Sequence, residues 1–107
     1  MLKLSHPGDI LRTEYLEPAR LKAADLARAT GLSTGRVSEI LNGKRDITAE
    51  IALRLERATG VSAKLWLGLQ NDYDLIKTGR KKSDIIRRQT SRLKFTEDTA
   101  TTERAGL

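Results

Sequence analysis

The sequence contains no cysteine, which excludes disulfide bonds, thiolate metal sites and a cysteine nucleophile. Its single histidine, His6, therefore has no convincing metal-ligand companion, and we expect it to cap a helix rather than bind zinc. Long apolar runs are also missing, since the stretch from Leu65 to Leu69 is far too short to cross a bilayer. We expect a soluble cytoplasmic protein with no membrane partner, metal or cofactor.

The chain has 107 residues, enough for one domain with a modest core. Its net charge of +6 and pI near 10 favour polyanionic partners. Residues 1–76 carry eleven basic and ten acidic side chains, whereas residues 77–107 carry nine and four. Because helical periodicity also fades there, we predict a domain over 1–76 and a basic, partly disordered tail over 77–107. The Thr-rich end, 96–107, should be frayed.

Apolar residues recur at spacings of three and four, and sustained strand alternation is absent. We therefore predict an all-α fold of five helices. Ser33, Thr48 and Ser62 are candidate N-caps of the last three helices. The predicted helices lie at about 7–17, 23–30 and 34–42, between Thr48 and Gly60, and from Ser62 through Tyr73.

Residues 23–42 form two short helices that meet at Gly31 with about three residues between them, a spacing typical of a helix-turn-helix. Ala27 allows the helices to approach closely, and Gly31 suits a turn conformation that other residues adopt at a cost. Val37 and Ile40 can pack the second helix onto the core. An ordinary helical hairpin in a small bundle is the alternative.

The exposed start of the third helix offers side chains that suit base edges. Arg bridges guanine N7 and O6, Glu accepts from cytosine N4, Ser and Thr serve either edge, and Gly permits close approach. The following loop offers an amide and cations to phosphates. The predicted DNA-binding residues are Lys22, Ser33, Thr34, Gly35, Arg36, Ser38, Glu39, Asn42, Lys44 and Arg45. Alternatively, Arg36 pairs with a carboxylate, Lys22 is solvated, and the loop is a solvated turn.

One recognition helix reads too few base pairs to specify a genomic site, so we expect a homodimer on double-stranded DNA with an inverted repeat. The predicted dimer interface on the fifth helix is Trp66, Leu69, Gln70 and Tyr73. Trp66 has a core position as its alternative.

The basic block of the tail includes a candidate short helix from Ser83. Its cations are Lys77, Arg80, Lys81, Lys82, Arg87, Arg88, Arg92 and Lys94. Three roles compete for this block: contact with DNA backbone, docking on an acidic protein surface, or a solvated arm.

Asp72 and Asp74 flank Tyr73, but this pair lacks a pocket, a base and a nucleophile. No catalytic residues are assigned, and an enzyme is not expected.

Three segments of the sequence resemble the HigA family of antitoxins, which are Xre-type, lambda-repressor-like helix-turn-helix proteins. They are HPGDILRTEYLEP at 6–18, GLSTGRVSEILNGKRDIT at 31–48 and ALRLERATGVSAKLWLGLQNDYDL at 52–75. The resemblance implies a type II antitoxin that neutralises a RelE-like, ribosome-dependent mRNA-cleaving toxin and represses its own operon as a dimer. When bound to its operator, such a protein is associated with the nucleoid.

The sequence departs from the family pattern at the start of the second helix. Xre-type domains often place a polar residue there, frequently Gln, whereas this chain has Lys22, Ala23 and Ala24. A base contact from Ala23 is therefore not expected. The alternative function is a free-standing Xre-type transcriptional repressor without a toxin partner.

Overall fold

The computed structural model describes residues 4–95, and within that range it contains five helices and no strands. The helices are α1 (Pro7–Ile10, continued by a π-helical turn over Leu11–Leu16), α2 (Ala23–Thr30), α3 (Thr34–Leu41), α4 (Ala49–Thr59) and α5 (Ala63–Gln89). The predicted all-α, five-helix fold is confirmed. None of the helices in this range combines the length and the apolarity that crossing a membrane requires.

Local sequence signals place the helix ends. Ser33, Thr48 and Ser62 each accept a hydrogen bond from the backbone N–H three residues later, at 3.1, 3.3 and 3.1 Å. Gly31 and Gly60 end α2 and α4 with φ angles of 76° and 79°, a left-handed conformation that glycine adopts without strain. The predicted caps are confirmed.

The π-helical turn in α1 brings two leucines to the core. Leu11 and Leu16 are five residues apart and would lie about 140° apart around a regular α-helix. The wider turn, closed by a hydrogen bond from the Glu17 N–H to the Arg12 carbonyl, brings them closer to one face. Both are buried. Three-and-four spacing from Leu11 leads to Glu14 and Tyr15 and not to Leu16, so the sequence pattern does not anticipate this turn.

The core is built around Trp66 of α5, which has no exposed surface. The rings of Trp66 and Tyr15 meet edge to face, with their centroids 5.7 Å apart. The inward faces of α2, α3 and α4, which include the predicted packing residues Ala27, Val37 and Ile40, are buried against the same cluster. Their members are Leu26, Ala27, Val37, Ile40, Leu41, Ile51, Ala52 and Leu55.

Gly8 lies directly against the last turn of α3. A Cβ atom placed on Gly8 would lie 1.7 Å from the carbonyl oxygen of Ile40 and 2.7 Å from its carbonyl carbon. Because that obstacle is backbone and not the end of a flexible side chain, only glycine permits this approach. The contact joins the start of α1 to the end of α3.

Helix α5 runs without a break through Lys77 and Gly79, where the sequence predicted a domain boundary. A single Gly costs only about 1 kcal/mol inside a helix, and no Pro interrupts the run that follows. The candidate helix from Ser83 is thus the end of α5. Residues 80–95 are exposed, and residues 90–95 have no regular structure. The division into domain and tail stays a prediction, and its frayed end, 96–107, lies outside the described residues.

Replacement of Gly8 by alanine should lower the free energy of unfolding by about 3 kcal/mol, because the new methyl group overpacks against backbone. Urea denaturation followed by far-ultraviolet circular dichroism measures the change. Gly68→Ala in α5 is the matched control, since a Cβ there meets no atom within 4 Å. The control should be neutral or stabilising by up to about 1 kcal/mol. Equal stability of the two variants would contradict the proposed constraint.

Candidate DNA-binding surface

The helix-turn-helix is formed by α2 and α3, which are joined by the residues from Gly31 to Ser33. The Oγ1 atom of Thr30 donates to the Leu26 carbonyl at 2.7 Å and accepts from the Leu32 N–H at 3.3 Å. Arg54 of α4 donates to the Thr30 carbonyl at 2.8 Å. These bonds hold the turn rigid and tie it to α4. Sequence reasoning did not assign this role to Arg54.

The N-terminal half of α3 presents a polar surface. Thr34, Gly35 and Arg36 are exposed, whereas Val37 and Ile40 face the core. A Cβ atom on Gly35 would meet nothing within 4 Å, so another molecule can approach the backbone there. None of the ion pairs found among residues 4–95 involves Arg36, so the alternative in which it pairs with a carboxylate is not seen in this part of the chain.

The C-terminal half of α3 is bonded to the loop that follows it. Glu39 Oε1 accepts from Arg45, with distances of 2.9 Å to Nε and 2.8 Å to Nη2. Asn42 Nδ2 donates to the Ser38 carbonyl at 2.9 Å and lies 3.4 Å from its hydroxyl. These predicted DNA-contacting side chains therefore also shape the loop, which the sequence did not indicate.

The remaining predicted contacts surround α3. Lys44 is exposed in the loop, and its backbone N–H donates to the Glu39 carbonyl at 2.8 Å. Lys22 is exposed just before α2, and its backbone N–H donates to the Asp25 carboxylate at 2.7 Å. The Ser33 hydroxyl is the α3 cap. The ten predicted residues thus line the α2–α3 unit and its adjoining loop, and their contact with DNA stays a prediction.

Gln70 is an internal anchor for this loop. Its Oε1 accepts from the Ile47 N–H at 2.8 Å, and its Nε2 donates to Asp46 at 3.2 Å and to Asp74 at 3.1 Å. Gln70 is only 4% exposed. This burial leaves Gln70, and equally the fully buried Trp66, no free surface for the predicted dimer interface, so neither is retained there. Both residues face the core from α5.

His6 caps α1, as predicted: its Nδ1 accepts from the Gly8 N–H at 2.9 Å. The buried ring meets Tyr73 edge to face at 5.1 Å between centroids, and Nε2 lies 3.8 Å from Asp46 Oδ1. Burial lowers the pKa of His6, an effect that the neighbouring carboxylates of Asp46, Asp9 and Asp74 oppose. Because Nδ1 accepts a hydrogen bond, we assign the neutral ring's proton to Nε2.

In the part of the chain that the structure describes, no group of three or more His, Cys, Asp or Glu side chains has a metal-binding arrangement. The polar groups gathered around Gln70 are bonded through its side-chain amide, which joins Asp46, Ile47 and Asp74.

Comparisons with known proteins agree with this geometry. A helix-turn-helix family profile matches residues 14–66. Virulence-associated protein I of Dichelobacter nodosus is 48% identical over 80 residues, which cover 75% of this chain and 74% of that protein. Two solved structures are each 35% identical to this chain. The Pseudomonas aeruginosa antitoxin HigA with the higBA promoter has a TM-score of 0.81, over 86% of this chain and 100% of that one. The antitoxin GraA in complex with its operator has a TM-score of 0.82, and the match covers 88% of this chain and 95% of that one.

The depressed pKa of His6 predicts a pH dependence of stability. The unfolded chain binds the His6 proton more tightly than the folded chain does. The contribution of neutral His6 to the free energy of unfolding is therefore fully present above about pH 6.5 and is lost as the pH falls toward the folded-state pKa. His6→Asn keeps an acceptor for the Gly8 N–H but does not titrate in this range. Urea midpoints of the wild type should therefore fall more steeply below about pH 6.5 than those of the variant. Parallel profiles would show that His6 does not contribute.

Proposed function

The chain belongs to the Xre-type helix-turn-helix family that includes the HigA antitoxins, and on that premise we propose that it is the antitoxin of a bacterial toxin–antitoxin pair. It binds operator DNA through α3, represses its own operon and neutralises a RelE-like, mRNA-cleaving toxin by direct contact. The activity is binding and not catalysis. Its DNA target places it in the cytoplasm, on the nucleoid.

The observation that carries the DNA-binding part is the open polar start of α3 on a rigid helix-turn-helix. Thr34, Gly35 and Arg36 are exposed side by side, with no ion pair at Arg36 among residues 4–95. The exposed Lys22 and Lys44 lie at the two ends of the α2–α3 unit, where cations can hold phosphates. The similar structures of HigA with a promoter and of GraA with its operator support the same use of this fold.

The toxin-neutralising part rests on the family and is tested by co-expression. Expression of the product of the neighbouring gene should arrest growth, and this chain should relieve the arrest and co-purify with that product. Failure to relieve the arrest, together with intact operator binding, would favour a free-standing transcriptional repressor.

A groove between α1, α2 and α4 offers a surface that does not include α3. It has a volume of about 380 Å³, and its lining includes Tyr15, Leu21 and Ala58. DNA binding and neutralisation can therefore use different surfaces. Arg36→Ala combined with Lys44→Ala should abolish repression in a reporter strain while protection in the co-expression assay persists. Loss of both activities in a folded variant would contradict this separation.

We further propose that Arg36 reads a base and that Lys44 holds a phosphate. Arg36→Ala should lower the binding free energy that favours the correct base at one operator position by about 1 to 3 kcal/mol, so specificity is relaxed at that position. Lys44→Ala should weaken binding to all sequences alike and reduce the salt dependence. Fluorescence anisotropy with operator, single-base variants and random DNA distinguishes the two effects. An equal loss for Arg36→Ala on operator and random DNA would exclude base reading.

The dimer is proposed to form along a stripe on α5 whose members alternate at spacings of four and three, as in a coiled coil. The stripe consists of Leu65, Leu69, Asp72, Ile76, Gly79, Ser83 and Ile86. Leu65, Ile76 and Ile86 are 49%, 45% and 46% exposed, so they retain apolar surface for a partner. Leu69 remains in the proposed interface, and the half-buried Tyr73 lies beside it.

Ile76→Asp should convert the dimer to a monomer, because it places a charge in the centre of the stripe. Its matched control is Leu75→Asp, which adds the same charge to an exposed residue outside the stripe. Sedimentation velocity should show monomers for the first variant and dimers for the second, with native helical spectra for both. Operator binding should weaken only for Ile76→Asp. A wild type that is monomeric at tens of micromolar would contradict the dimer.

A further inference from the structure

The second half of α5 has a basic side next to the predicted DNA-contacting loop. We propose that Lys77, Lys81 and Lys82, which we call the α5 basic face, bind phosphates in the spacer between the two operator half-sites. This inference rests on the proposed DNA-binding function and on the proposed α5 dimer. It adds a contact that lies outside the helix-turn-helix.

The first observation is position. The three lysines line one groove of about 330 Å³ together with Gly43 and Asp46 of the loop after α3. That loop also contains Lys44, the predicted phosphate contact. Phosphates that reach the loop would therefore pass close to α5.

The second observation is the charge of this face. Among residues 4–95, none of the ion pairs includes a lysine of the α5 basic face or Lys44. The two carboxylates in the groove, Asp46 and Asp74, accept hydrogen bonds from the buried Gln70. Lys77 Nζ lies 5.5 Å from the centroid of the Tyr73 ring, a cation–π contact that holds this charge near the loop. Several cations without carboxylate partners suit a phosphate backbone.

The third observation is the direction of the face around the helix. At 100° per residue, Lys77 and Lys81 lie about 100 and 140° from Ile76, which is in the dimer stripe, whereas Lys82 lies about 120° from it in the other direction. Pairing along that stripe therefore leaves Lys77 and Lys81 uncovered, and Lys82 lies nearer the edge of the stripe, on the side of Ile86. The pairing also brings both copies of α5 to the two-fold axis, and the two-fold axis of an operator complex crosses the spacer.

The test compares Lys77→Gln/Lys81→Gln with Arg80→Gln. Arg80 is an exposed cation on the same helix, but it does not line the groove. Binding to an operator selected from random DNA is measured at several salt concentrations by anisotropy. The double variant removes two cations from each protomer, four from the dimer, so it should lower the slope of log K against log salt by about 3.6 and weaken binding at low salt by about tenfold or more. Arg80→Gln should match the wild type, and sedimentation should show that both variants remain dimeric.

A second arm locates the contact by replacing spacer phosphates with uncharged methylphosphonates. The wild type should bind this modified operator more weakly than the unmodified one. The double variant already lacks the contacting lysines, so the modification should reduce its affinity only slightly further. An unchanged salt slope in the double variant would overturn the proposal. So would an equal further loss of affinity for both proteins, which would place the contacts elsewhere. Intact operator binding with lost toxin protection would instead assign the face to the toxin. Absence of operator binding by the wild type would overturn the proposed function itself.

Discussion

The placement of α3 depends on the contact between Gly8 and the Ile40 carbonyl. A helix that reads DNA must be held at a defined position and angle relative to the rest of the domain. Side-chain packing alone tolerates small shifts of such a helix. Contact between two backbones removes that tolerance, because neither can move aside. His6 reinforces the contact by capping the same turn of α1, and its ring extends toward Tyr73 and Asp46. The HPG segment thus positions a surface formed by residues far along the chain.

Much of the fold could be predicted from local signals. The hydroxyl caps at Ser33, Thr48 and Ser62 and the left-handed glycines at Gly31 and Gly60 act over a few residues, so their effect is visible in sequence. Residues whose partners are distant were not predictable in this way. Gln70 looks like a polar surface residue on α5 until the chain folds and brings Asp46 and Ile47 to it. Trp66 had two readings because periodicity shows which residues share a face and not what covers that face.

The candidate site was predictable in its composition but not in its internal bonding. The exposed start of α3 was identified from residue types and helix phase. The pairing of Glu39 with Arg45 and the bonding of Asn42 to Ser38 depend on how the loop closes, and loop closure has no short sequence signal. The length of α5 was underestimated for a related reason: falling hydrophobicity after Ile76 indicated a separate, partly disordered tail with a short helix from Ser83, whereas helix propensity continues through the basic run to Gln89.

The unbroken course of α5 also limits the DNA spacing that the protein can tolerate. From Gln70, which is bonded to the loop after α3, the helix continues for about 28 Å to Gln89 as one stiff rod. If two such rods pair, the separation and relative rotation of the two recognition helices are set by the paired rods and not by a flexible linker. Insertion of one base pair between half-sites turns one of them by about 35° relative to the other. A pair of stiff helices would not follow that rotation, so such a dimer would bind only operators with one spacing between their half-sites.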